Sequence, residues 1–62
     1  HLTAKELSVL RCMSLGMANK AIALYLDNSE GTIRNHVSQI IGKLAVQDRT
    51  QAVIKAIQNQ LV

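Results

Sequence analysis

Phenylalanine, tryptophan and proline are absent from this 62-residue sequence, and Tyr25 is its one aromatic residue. A core without large rings has to be built from Leu, Ile, Val, Met and Ala, a palette that suits helices packed on helices. Cys12 stands alone, which excludes an internal disulfide. The two histidines, His1 and His36, lie far apart in sequence and make a poor metal site, so no metal or other cofactor is expected. No apolar run approaches the roughly 18 residues needed to cross a bilayer, and no charged segment followed by an apolar stretch marks a signal peptide. The chain is therefore expected to be soluble and cytoplasmic, with no membrane partner. Acidic residues are few: four against seven Lys and Arg, a net charge of +3. That balance leans toward a polyanionic partner but falls short of an arginine-rich arm, so the placement of charge has to decide.

What is present divides into four helical stretches in one domain, residues 1–62, with no repeat or low-complexity segment. A domain this small buries roughly 60% of its unfolded surface, so its stability is marginal. Thr3-Ala4-Lys5-Glu6 has the form of a capping box. Leu7, Leu10, Met13 and Ser14 come next at helical spacing with Val9 on one flank, and Gly16 is suited to end that helix in a left-handed conformation. Asn19 is expected to cap a second helix, Lys20 to about Leu26, that buries Ile22, Ala23 and Leu26. Asp27-Asn28 reads as a turn, and Ser29 as the cap of a third helix from Glu30 to about Leu44. Asp48 is expected to cap a fourth, running from Arg49 to about Gln60. The fold class is all-α, with links short enough to force neighbouring helices together.

The third helix separates into two faces. Ile33, Val37, Ile40 and Leu44 fall within about 60° of one another at 100° per residue, a core stripe. Gly31, Arg34, Asn35, Ser38 and Gly42 occupy the opposite side. Arg can bond guanine bidentately, Asn can do the same to adenine, and small residues let a helix backbone come close to base edges. A short helix, a turn closed by a capping Ser, and a longer helix with a small-sided outer face together describe a helix-turn-helix over about residues 19–44.

The residues themselves resemble a known family. Leu2-Thr3-Ala4-Lys5-Glu6, Val9-Leu10, Gly16-Met17-Ala18-Asn19-Lys20-Ala21-Ile22-Ala23, Ser29 through Val37, Lys43-Leu44-Ala45-Val46 and Asp48-Arg49-Thr50-Gln51-Ala52 look like the LuxR-type (GerE/NarL/FixJ-like) DNA-binding domain. The resemblance covers essentially the whole chain. It implies four helices and sequence-specific binding of double-stranded DNA in transcription control, without catalysis. It carries base reading onto Gly31, Arg34, Asn35 and Ser38, and phosphate contacts onto Asn19, Lys20, Ser29, Thr32 and Lys43. It also implies that helix four, about residues 49–60, forms a homodimer contact, and that a receiver or sensor domain precedes such a segment. Three positions depart from the pattern: Ala18 stands where Ser or Thr is usual, Ala21 where Glu is common, and Asn28 where Ile or Val is preferred.

Several residues keep two readings at this point. His36 is expected to be a buried, hydrogen-bonded structural residue, with a phosphate contact as the alternative. Glu6, on the inward side of the first helix, needs a partner, for which Arg49 and Lys20 are the candidates. Cys12 lies off the main stripe and reads as a small apolar residue, and Tyr25 as a helix-packing one. Helix four has more apolar surface than its core contacts with Ala52, Val53 and Ala56 require, because Ile54, Ile57 and Leu61 extend the arc, which points to a second copy or to a further domain of the same protein. An enzyme is excluded by the lack of a phosphate loop, paired carboxylates or a Ser/His/acid set. A helical protein-interaction module is the competing reading, motivated by Ala18 and Gly31.

Overall fold

The computed structural model describes residues 1–62 as four helices, α1 (Ala4–Ser14), α2 (Asn19–Leu26), α3 (Glu30–Lys43) and α4 (Arg49–Gln58), with no strand. Three of the starts are those the sequence predicts. Thr3 Oγ1 accepts from the Glu6 amide at 3.1 Å while Glu6 Oε1 accepts from the Thr3 amide at 2.8 Å, closing the capping box. Ser29 accepts from the Thr32 amide and Asp48 from the Gln51 amide. The start of α2 differs. Ala18 is its cap and offers no side-chain acceptor, and Asn19 is already the first helical residue.

All four helices close in the same way. A residue with positive φ lies just beyond each helix, and paired backbone bonds of Schellman form bracket it. Gly16 N–H donates to the Met13 carbonyl and Met17 N–H to that of Cys12, and the same pattern recurs around Asp27, Ala45 and Gln60. Only Gly16 is a glycine there, so the other three accept a conformation that L residues resist. At three of the ends the next residue, Met17, Val46 or Leu61, is apolar and packs against the core. The fourth has Asn28, whose Nδ2 donates to the Leu26 carbonyl at 2.7 Å instead. This is the physical content of the departure at position 28.

The core gathers Val9, Leu10, Cys12 and Met13 of α1, Ile22 and Ala23 of α2, Ile33, Val37 and Ile40 of α3, and Ala52 and Ala56 of α4. Helices α1 and α3 each pack against the other three, whereas α2 and α4 do not pack on one another. Because three helices cover α1, Cys12 is drawn into the core rather than left on its flank. Tyr25, by contrast, is 74% exposed rather than the helix-packing residue expected. His36 is half-buried with its Nδ1 enclosed and unpartnered, so the expected hydrogen bond is absent.

Glu6 is the one buried charge, and its partner is Lys43, not Arg49 or Lys20. Lys43 Nζ lies 2.8 Å from Glu6 Oε1, pinning the end of α3 to the start of α1. This hydrogen bond, helped by the Thr3 amide, holds the Glu6 carboxyl below its ordinary value of 4.5 against the opposing effect of burial. A depressed carboxyl stabilises the folded state at pH above the unfolded value, and that contribution is lost as pH falls through the folded one. Denaturant midpoints measured across pH are therefore expected to drop below pH 4.5 in the native chain and to stay flatter there in Glu6→Gln. Identical acid profiles would show that Glu6 does not carry the acid sensitivity.

Candidate nucleic-acid interface

The division of α3 into two faces is visible in its burial. Ile33 and Ile40 are wholly buried and Val37 nearly so, while Arg34, Asn35, Ser38 and Gly42 are exposed on the other side and Gly31 is half-buried beside them. At 3.6 residues per turn, Gly31, Arg34, Asn35, Ser38 and Gly42 span an arc of about 100°, which faces away from α1. The core fixes this orientation, because rotating α3 to hide Arg34 would expose Ile33 and Ile40.

The Arg34 guanidinium lies back along its own helix. Its Nη1 sits 3.6 Å from Glu30 Oε2, and both side chains are largely exposed, so the pair contributes little to stability and opens at little cost. A Cβ at position 31 would meet Arg34 Nη2 at 3.6 Å, an ordinary contact. Gly31 is thus required neither by φ nor by space in the free domain. It leaves a helix surface with no side chain between the backbone and an approaching ligand.

Two helix starts flank this face. At α3, Ser29 Oγ and Thr32 Oγ1 are 2.8 Å apart, and Ser29 Oγ also accepts the Thr32 amide. One hydroxyl proton is used between the two side chains, which leaves the other free to donate outward. At α2, Lys20 is exposed and in no ion pair, and Asn19 is half-buried with its Oδ1 taken by Arg49 Nη1 at 2.6 Å. First-turn amides of both helices lack intrahelical partners and carry the positive end of the helix dipole. Donors and positive potential therefore border the outer face of α3 on one side. Lys43, at its far end, is paired with Glu6 and is the one assigned phosphate residue held in an ion pair.

On α4, Ile54 and Ile57 are 49% and 58% exposed, an apolar surface that the chain's own core does not use. Leu61 differs: it lies beyond the helix end and folds back as a half-buried residue against the core, beside Leu2, Leu7 and Leu44. The sequence singles out Arg49 only as a candidate partner for Glu6, whereas its actual partners, Asn19 and Met17, are some thirty residues earlier in the chain.

The pattern of the family described as GerE, bacterial regulatory proteins of the luxR family, matches residues 1–56. The chain belongs to that family. Among its relatives, the transcriptional regulatory protein LnrK of Bacillus subtilis (strain 168) is 54% identical over 56 residues, 90% of this chain and 26% of the relative. The response regulator protein VraR of Staphylococcus aureus (strain NCTC 8325 / PS 47) is 44% identical over 61 residues, 98% of this chain and 29% of the relative. The chain thus spans about a quarter of the length of the curated relatives it matches. Two solved structures superpose closely. The response regulator ChrA of a heme-sensing two-component system gives a TM-score of 0.94 at 35% identity, covering 100% of this chain and 31% of that one. The transcription factor GerE gives 0.89 at 33% identity, covering 97% of this chain and 90% of that one. The luxR family is one of regulators rather than enzymes. No helix of the chain is long and apolar enough to cross a membrane.

Proposed function

We propose that residues 1–62 form the DNA-binding domain of a cytoplasmic transcription regulator and that α3 enters the major groove of duplex DNA. The observation that carries this reading is the two-faced α3, with Ile33 and Ile40 sealed in the core and Arg34, Asn35 and Ser38 exposed opposite them. Arg34, Asn35 and Ser38 read base edges while Gly31 admits the helix backbone close to them. Asn19, Lys20, Ser29 and Thr32 hold phosphates on the near strand, setting register without choosing sequence. Lys43 reaches phosphate only by sharing or leaving Glu6, a weaker role than its exposed position on α3 implies. Selection of duplexes from a randomised pool tests the reading, and recovery of no common sequence would count against it.

The domain acts as one half of a homodimer joined through Ile54 and Ile57 of α4, which matches a two-fold protein to paired half-sites. Leu61, half-buried beside Leu2, Leu7 and Leu44, is left out of this contact. The matched segments cover 26% of LnrK and 29% of VraR, and by name VraR and ChrA are response regulators. In the complete protein a receiver or sensor domain therefore precedes this output domain. Ile57→Ala is expected to reduce cooperative occupancy of a two-half-site duplex while leaving single half-site affinity nearly unchanged, because its only route to DNA is through the second protomer. Titrating both duplexes with the native and variant chains checks this. Equal losses on the two would point to a folding defect instead.

A further inference from the structure

Arg49 opens α4, yet its guanidinium serves a different helix. Nη1 donates to Asn19 Oδ1 at 2.6 Å and Nη2 donates to the Met17 carbonyl at 3.0 Å. These two bonds are the hydrogen-bonded connection between α4 and the turn that leads into α2, two helices that do not otherwise pack. A guanidinium has donors and no acceptor, so the Asn19 amide has to turn its oxygen toward Arg49. Its Nδ2 is left as a donor that no protein group takes and that is not enclosed, since the one buried unpartnered side-chain atom of the fold is Nδ1 of His36. Ala18, meanwhile, supplies no cap to the first amides of α2. The exposed end of α2 consists of unfilled donors whose orientation depends on a side chain from the helix that also carries Ile54 and Ile57.

We propose that Arg49 is a positioning residue for DNA binding. By holding Asn19 Oδ1 and the Met17 carbonyl, it aims Asn19 Nδ2 and the free amides of α2 at a backbone phosphate, and it ties that anchor to the helix through which two copies meet. The inference rests on the DNA-binding reading and adds a residue that touches no nucleic acid. Lysine cannot reproduce it. A single ammonium on a flexible stem lacks the planar pair of donors that engages a side-chain oxygen and a carbonyl at once.

A double-mutant cycle on a single half-site duplex, with Asn19→Ala, Arg49→Lys and both together, tests it. Asn19→Ala is expected to weaken binding about tenfold on every sequence, the loss of one hydrogen bond to a charged group. Arg49→Lys is expected to weaken it by a similar factor, and the double variant no further than either alone. Thermal midpoints followed by circular dichroism report the fold separately. A merely structural Arg49 would give the same loss whether or not Asn19 is present, and that additive result overturns the proposal. Asn19→Asp keeps the acceptor for Arg49 but replaces the donor with a carboxylate. It is expected to leave the thermal midpoint unchanged or raised while affinity falls more than in Asn19→Ala. Undiminished affinity in Asn19→Asp would also overturn the proposal. A native chain that binds no duplex at all would instead remove the DNA-binding reading.

Discussion

Raising salt from about 50 to about 200 mM is expected to weaken binding of the dimer to a two-half-site duplex by roughly a thousandfold. Three anchors per protomer carry this expectation: exposed, unpaired Lys20, the uncapped start of α2, and the start of α3 with the Ser29 and Thr32 hydroxyls. Across two protomers they meet roughly six phosphates, and with each contact releasing about 0.9 of a counterion the log-log slope lies near −5. Lys43 is left out of the count because its ammonium sits on Glu6. Lys20→Ala should make the slope shallower by about one contact per protomer and weaken all sequences alike, since a phosphate contact carries no sequence information. Fluorescence titrations at several salt concentrations measure both quantities. A slope near zero in the native chain would remove DNA binding as the function.

Such anchors are partly legible in the sequence, and the reason differs from residue to residue. Thr3, Ser29, Asp48 and Gly16 act within a turn of their own positions, so local spacing is enough to identify the three caps and the glycine stop. The two faces of α3 come from helical periodicity alone. The turn at Asp27-Asn28 is legible because Asp tolerates the left-handed region, whereas the left-handed Ala45 and Gln60 cannot be foreseen from propensity. At Ala45 and Gln60 the conformation is imposed by burial of the neighbouring Val46 and Leu61, and at Asp27 it goes with the Asn28 turn that replaces such burial.

Asn19 has the character of a cap because Asn caps helices well, but its oxygen is claimed by Arg49 from far along the chain. The partner of Glu6 is likewise a choice among cations that only the fold can make. Lys43 wins it because the end of α3 crosses the start of α1, while Arg49 is already spent on Met17 and Asn19. Leu61 illustrates the same limit at the other end. Its apolar character suggests outward surface on a longer α4, whereas the helix stops at Gln58 and the turn after it directs Leu61 back inward. In each case the local signal is sound, and a contact distant in sequence redirects the side chain.

Adjacent residues of α3 should respond to truncation in opposite ways. Ile33 is wholly buried, and Ile33→Ala is expected to cost about 2–5 kcal/mol, comparable to the entire stability of a domain this small, so the variant should be largely unfolded at ambient temperature. Arg34 is exposed and only loosely paired with Glu30, so Arg34→Ala should change stability by no more than about 0.5 kcal/mol. Its effect belongs to the bound state, where losing a bidentate contact removes about 1–3 kcal/mol of discrimination, or roughly five- to more than a hundredfold, at one base pair. Competition binding against every single-base variant of a selected site, with circular dichroism on each protein, separates holding from reading. A folded Arg34→Ala that loses affinity evenly across all those variants would make Arg34 a phosphate clamp and pass base reading to Asn35 and Ser38. A folded Ile33→Ala would show that α3 keeps its orientation by some means other than its core stripe, and the reading face would then lose its physical basis.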